Sequence, residues 1–416
     1  MAEIKPFRAL RYTEKAGDIA NNVCPPYDVV NDEAYAELCK RSEYNFIRLE
    51  RVEGEDGYAR SAALLKKLIA NGVMKKDEKP GYYIYEEEFV YEDKTYVFDG
   101  LVCLCRTYDY ADNVVKPHEE TLSKAKKDRF ELMKATFCNF SSVYSLFEDR
   151  NGYIQNIMNV WREDVKPLYD FVSSDGIKQR LWKIEDGVIC AAITGFFEPK
   201  QLFIADGHHR FETAGAFNKY CTENGIDCDS GYIMMTLVDM ASTGLVVLPT
   251  HRVIVNMDID IPAFLKKAEE YFEITDIDKT SDIKQTLASS SDKHAFVMYA
   301  KGGGARLLVL KEAVDVGDTA VSGLDVSVLH DLLLEKILKI DRENLKNQKN
   351  LVYTRDIAEA VEAVDSGASP AAFILNPTKV EQIRAVASEG GKMPQKSTYF
   401  YPKLIAGLTV NQFKEV

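Results

Sequence analysis

Lys200-Gln201-Leu202-Phe203-Ile204-Ala205-Asp206-Gly207-His208-His209-Arg210-Phe211 carries a short apolar run, a single glycine and then a cluster of polar groups. The apolar run has the length and composition of a buried β-strand. Phe211, Ala214, Phe217 and Cys221 then recur at helical spacing until Gly225, so the stretch reads as strand, tight turn, helix. In that reading Asp206 is the N-cap of the helix, and Gly207 lets the backbone come close to a ligand. The first-turn amides of a helix have no intrahelical acceptor, and the helix dipole adds positive potential there. Such a turn favours an anion, and Arg210 adds a guanidinium suited to phosphate or carboxylate. A shared metal is disfavoured for His208 and His209, because neighbouring helical side chains diverge by about 100°.

Around this core the pattern alternates strands and helices. Tyr83, Tyr85, Phe89 and Tyr91, then Tyr96, Phe98 and Leu101, predict a β-hairpin over residues 80–106 with one wet face. Further strands are expected at Tyr232–Val238, Leu245–Leu248, Ala295–Tyr299 and Arg306–Leu310, with a helix over Ile261–Phe272. Gly302-Gly303-Gly304 reads as a hairpin turn. Val326, Leu329, Leu333, Ile337 and Ile340 predict a helix over Asp325–Ile340, capped by Asp325. The tail gives a strand at Leu351–Thr354, a helix through Ile357, Val361 and Val364, a strand at Ala371–Leu375 and a helix through Val380, Ile383 and Ala387. The fold class expected is a mixed α/β (α+β) architecture, divided into residues 1–245 and a C-terminal α/β region, 246–416.

Composition narrows the function. The chain has 416 residues, 46% of them hydrophobic, enough for more than one core. A net charge of −13 argues against electrostatic binding of nucleic acid or an anionic membrane. No apolar stretch approaches the roughly 18 residues of a membrane span, and Met1-Ala2-Glu3-Ile4-Lys5-Pro6 lacks a signal-peptide core, so a cytoplasmic protein is expected. The eight cysteines show no Cys-x-x-Cys pair, which disfavours a zinc or disulfide framework and suggests small buried hydrophobes. No metal site is expected.

Two further clusters hold chemistry. Lys116-Pro117-His118-Glu119-Glu120-Thr121 is followed by Lys124, Lys126-Lys127-Asp128-Arg129. A histidine beside two carboxylates can take a proton from a hydroxyl, and nearby cations can balance a transferring phosphoryl group. The alternative is a solvated charged loop. Lys392-Met393-Pro394-Gln395-Lys396-Ser397-Thr398-Tyr399-Phe400-Tyr401-Pro402-Lys403 offers Lys396, Ser397, Thr398 and Lys403 to a phosphate or base pocket, or else forms a core strand with surface lysines. Val23-Cys24-Pro25-Pro26-Tyr27-Asp28-Val29 is a stiff turn of similar kind, and Pro249-Thr250-His251-Arg252 places a histidine and an arginine at a strand start.

These strings together resemble the bacterial and archaeal "domain of unknown function 1015" proteins. The resemblance runs through Lys5–Tyr12, Pro25–Val29, Pro117–Glu119, Ala205–Arg210, Pro249–Arg252, Leu324–His330 and Met393–Lys403. More distantly, the strand, Asp-Gly-His-His-Arg and helix are similar to the phosphate-binding element of the ParB and sulfiredoxin-like superfamily. Its members bind nucleotides, and some phosphorylate free serine. The resemblance implies a nucleotide-phosphate cradle at Asp206, Gly207, His208, His209 and Arg210. It also implies an earlier catalytic carboxylate, for which Glu119, with His118 and Glu120 beside it, is the candidate. Lys126, Arg129, Lys396 and Lys403 would balance phosphoryl charge.

The function expected is an ADP- or ATP-dependent kinase of a small hydroxyl-bearing metabolite, with Mg²⁺, as a possible homodimer. The alternative is a regulatory module that binds a nucleotide or phosphometabolite without turnover. A sulfiredoxin-type redox role needs a cysteine where Gly207 and His208 stand, and a DNA-partitioning role needs a basic helix-turn-helix region that is not evident.

Overall fold

The computed structural model describes the chain except for residues 122, 279–281, 303, 348 and 416, and the side chains of residues 342 and 346. It is a mixed α/β protein of two compact units. The first comprises Met1–Pro117, Thr121–Val246 and Pro402–Val416, the second His118–Glu120 and Val247–Tyr401.

The first unit is built on a mixed sheet. Its strands run in the order Val115–Lys116, Leu202–Asp206, Val143–Phe147, Tyr232–Asp239, Lys94–Arg106, Tyr82–Tyr91, Lys178–Ile184 and Tyr169–Val172, with Ile4–Lys5 also paired to Lys94–Arg106. Leu202–Asp206 lies parallel to Val115–Lys116 and antiparallel to Val143–Phe147, and its register shifts between Ile204 and Asp206. Such a bulge re-aims the end of the strand, where the turn begins. The helix after it, His208–Glu223, buries Phe211, Ala214, Phe217 and Cys221 in the core shared with Ile204, Met235 and Phe147. That is the stripe read from the sequence.

The expected hairpin is present as Tyr82–Tyr91 and Lys94–Arg106. Its two turn residues, Glu92 and Asp93, have φ of 49° and 60°, the paired left-handed geometry that suits the twist of a two-residue hairpin. The wet face, however, is confined to the tip. Glu86 and Asp99 are buried, and Arg162 ion-pairs with both, at 2.6 Å to Asp99, while Arg180 also reaches Glu86. Alternating charge marked solvent in the sequence; paired arginines allow the same carboxylates to sit inside.

The second unit carries an antiparallel sheet ordered Phe272–Ile277, Gly304–Leu310, Ala295–Ala300, Ala371–Leu375, His251–Ile254 and Leu351–Thr354. Ala300 pairs with Gly304 across the expected glycine turn, of which Gly303 lies outside the described residues. The expected helix over Ile261–Phe272 stops at Ala268, and Phe272 begins a strand instead. The helix at Asp325 also differs. Leu324, not Asp325, is the cap residue, and the Asp325 carboxylate meets His294 Nδ1 at 2.8 Å. After Val328 the chain continues as a π-helix over Leu329–Ile337. The tail helices Ile357–Asp365 and Val380–Ser388 flank the strand Ala371–Leu375 as expected.

All eight cysteines are free thiols and six are buried. No helix among the described residues is long and apolar enough to cross a membrane.

Candidate functional site

The turn after Leu202–Asp206 is formed by Gly207, at φ 95° and ψ 27°, which is the N-cap of the helix His208–Glu223. Asp206 is therefore not the cap: it is the last strand residue, and no side chain caps the helix. Its carboxylate is taken by two cations instead. Arg210 reaches one oxygen at 2.5 Å and Lys403 pairs with the other. Burial alone would raise the Asp206 carboxyl, but Lys403 and Arg210 overcome it and hold the group well below the usual carboxylate range.

Arg210 is itself buried. Besides Asp206, it donates to the Ser142 carbonyl at 2.5 Å. A Cβ on Gly207 would lie 3.0 Å from the guanidinium carbon of Arg210. Glycine is thus needed twice, for a backbone conformation that L-residues rarely adopt and for the room the guanidinium occupies. The first intrahelical bond runs from the Phe211 amide to the Gly207 carbonyl at 3.0 Å, so the amides of residues 208–210 lie ahead of the helix's own bonding pattern.

His208 is buried and His209 half-buried. Burial lowers the His209 imidazole below its ordinary value, against the pull of Glu212 and Asp28, with Lys126 and Arg210 pushing the same way as burial. Burial thus favours the neutral imidazole of His209, a form that donates one hydrogen bond and accepts another. Lys126 ion-pairs with Glu212 at 2.8 Å, and Thr121 donates to the same carboxylate oxygen at 2.6 Å. Arg129 donates to the Glu50 carbonyl at 2.9 Å and lies over the Tyr27 ring, 3.7 Å from its centroid. Both cations are therefore already engaged by the protein.

Three groups near the turn had no role assigned from sequence. Asp28 is exposed, and its charge acts on His209, Arg210, Tyr27 and Glu50. Glu50 is buried, accepts the Ser141 hydroxyl, and is pushed up to about 7 by burial, against the opposing pull of Arg129 and Arg210. Glu212, one turn into the helix, ties down Lys126. The stiff Pro25-Pro26-Tyr27-Asp28 turn pointed towards Asp28; nothing local marks Glu50, which ends an apolar stretch.

Of the residues read as one site, Asp206, Gly207, His208, His209, Arg210, Lys126, Arg129 and Lys403 fall in the first unit. His118, Glu119, Glu120, Lys396, Ser397 and Thr398 fall in the second. Within that unit the Met393 amide donates to the His118 carbonyl at 2.8 Å, and Glu119 bridges to Met393 in parallel fashion. His118 is fully buried, with Nε2 3.3 Å from the Thr398 hydroxyl. Ser397 turns its hydroxyl onto the Pro394 carbonyl at 2.5 Å, while Lys396 and Glu120 are exposed.

Residues 4–327 match the family described as protein of unknown function, DUF1015. The chain belongs to the DUF1015 family. The match takes in the whole strand, turn and helix and the His118–Glu120 segment, and stops short of Lys396, Ser397, Thr398 and Lys403. No curated protein matches the sequence. Among solved structures, this DUF1015 chain is similar to a conserved hypothetical protein from Pyrococcus furiosus, with 13% identity over 73% of this chain and 92% of that one, at a TM-score of 0.35. A free serine kinase in complex with AMP has 13% identity over 73% and 89%, at a TM-score of 0.38. SbnI with C-terminal truncation from Staphylococcus aureus has 10% identity over 75% and 87%, at a TM-score of 0.37.

Proposed function

We propose that the chain is a cytoplasmic, nucleotide-dependent kinase of a small hydroxyl-bearing metabolite, with the phosphates of ADP or ATP held at the start of the helix His208–Glu223. The observation that carries this reading is the turn itself. A buried strand delivers a left-handed glycine to the start of a 16-residue helix, with two imidazoles in its first turn. Beside it one carboxylate, Asp206, is shared by two cations, Arg210 and Lys403, which leaves positive charge next to the amides of the helix start. The ParB- and sulfiredoxin-like assignment of the first unit belongs to the same reading, as does a homodimer.

Among the described residues no three His, Cys, Asp or Glu side chains converge on a metal ion. Magnesium would enter on the nucleotide phosphates, where it would neutralise charge. The protein's own task is to position the phosphates and to accept a proton from the acceptor hydroxyl. Two carboxylates are candidates for the proton: Asp28 in the first unit, within electrostatic reach of His209 and Arg210, and Glu119 in the second, with His118 and Glu120 beside it.

Free serine is the acceptor to test first, because some members of the superfamily that the turn resembles phosphorylate it. Thermal shift of the full chain with AMP, ADP, ATP and CTP should show stabilisation by an adenine nucleotide. Mass spectrometry should then show phosphoserine when serine and Mg²⁺ are added. Asp28→Asn and Glu119→Gln decide the base: the correct one should lower turnover by about two to four orders of magnitude, as loss of general base catalysis does, with nucleotide binding retained. Nucleotide binding with no product from any hydroxy acceptor would leave a regulatory module in place of a kinase, and no response to any nucleotide would refute both.

A further inference from the structure

The second unit contains a cavity of about 600 Å³, within the range of small-molecule sites, and every described residue that lines it belongs to that unit. One wall is the helix that changes from α to π geometry at Leu329. Ser327, Asp331 and Glu335 recur every four residues along it and all line the cavity. A turn wider than 3.6 residues aligns that spacing more closely than an α-helix does, and short π segments are frequent at functional sites. Glu120 and Glu343 add two more carboxylates, against Lys392 as the one lysine or arginine among the described lining residues.

Two observations besides the acidic charge point to a ligand. Ser327 is 4% exposed and its hydroxyl has no hydrogen-bond partner. The Tyr353 hydroxyl, on the lining of the same cavity, is buried and likewise without a partner. Buried hydroxyls are ordinarily hydrogen-bonded, so a pair of unpartnered ones on residues that line one cavity calls for a polar guest. The carboxylates do not converge: among the described residues no three His, Cys, Asp or Glu side chains could hold a metal ion. Spread acidic groups with hydroxyls suit an extended organic cation, whose several N–H donors can each find a separate acceptor.

We propose that this cavity binds a small amine, of the diamine, polyamine or amino-amide class, with its ammonium groups at Asp331 and Glu335 and a polar group at Ser327 and Tyr353. The residues placed at the amine, Asp331, Glu335, Ser327 and Tyr353, are not used by the kinase scheme, although Glu120, beside that scheme's candidate base Glu119, also lines the cavity.

The test is isothermal titration calorimetry of the full chain with putrescine, spermidine and lysine amide, and with inorganic phosphate and citrate as anions of similar size. At least one amine should bind with a Kd on the order of 1 mM or tighter. A D331N/E335Q variant changes two exposed side chains, so its fold is expected to stand; it should weaken that amine about tenfold or more, the effect of losing charge-assisted hydrogen bonds. S327A should weaken it by a smaller factor, and the thermal shift with ADP should be the same in all three proteins. Saturation by no amine up to about 10 mM, tighter binding of phosphate or citrate, or unchanged amine binding by D331N/E335Q would each overturn the proposal.

Discussion

Replacing Gly207 with alanine probes the turn most directly. At φ 95° and ψ 27° the residue lies outside the left-handed basin near +57° that an L-residue can tolerate, and entering even that basin costs about 1–2 kcal/mol. The new Cβ would also meet Arg210 Cζ and Nε at 3.0 Å, inside the roughly 3.5–4.0 Å of a relaxed carbon contact. The guanidinium must then move and weaken its bonds to Asp206 or the Ser142 carbonyl, hydrogen bonds of a charged group worth about 1.5–3 kcal/mol. The sum is a loss of about 2.5–5 kcal/mol from the first unit.

Gly152 supplies the control. It also starts a helix in the first unit, at φ 64°, but a Cβ added there would meet nothing within 4 Å, so G152A should show the backbone cost alone, about 1 kcal/mol. Both tryptophans, Trp161 and Trp182, belong to the first unit, so their fluorescence in urea follows that unit without the other. Equal urea midpoints for G207A and G152A would refute the argument that Arg210 occupies the space beside the glycine.

Three other outcomes are expected. Lys403→Met removes one of the two cations on Asp206, both side chains being mostly buried; it should destabilise the first unit by about 2–4 kcal/mol and speed hydrogen exchange across residues 402–413, and unchanged exchange there would count against the pair. Glu50 has a folded-state pKa raised from 4.5 to about 7, so its contribution to stability is full below pH 4.5 and is lost as pH rises to 7; Glu50→Gln should remove up to about 3 kcal/mol of that decline, read from urea midpoints at pH 5 and 8. Glu87, pushed up to about 8 by burial, gives a second decline in the same direction that Glu87→Gln, and not Glu50→Gln, should abolish.

Where a segment's role depends on its own neighbours in the chain, the sequence was enough. The strand, glycine and helix at 202–223 follow from an apolar run, a residue free of Cβ and a stripe at helical spacing. The hairpin follows from alternation, and the paired tail helices from their apolar periods. All are local patterns, because backbone hydrogen bonds in helices and hairpins join residues close in sequence.

The balance of buried charge is not local. Asp206 reads as a helix cap until Lys403, 197 residues later, and Arg210 claim its two oxygens. Glu86 and Asp99 read as solvent-facing until Arg162 and Arg180 pair with them, and Glu50 carries no mark of the Ser141 hydroxyl or of Arg129. A carboxylate can be buried only where a cation or donor meets it, and which one does so is set by the packing of distant elements. The sequence by itself therefore determined the strand, the turn and the helix; the tertiary structure decided which charged groups around them are paired.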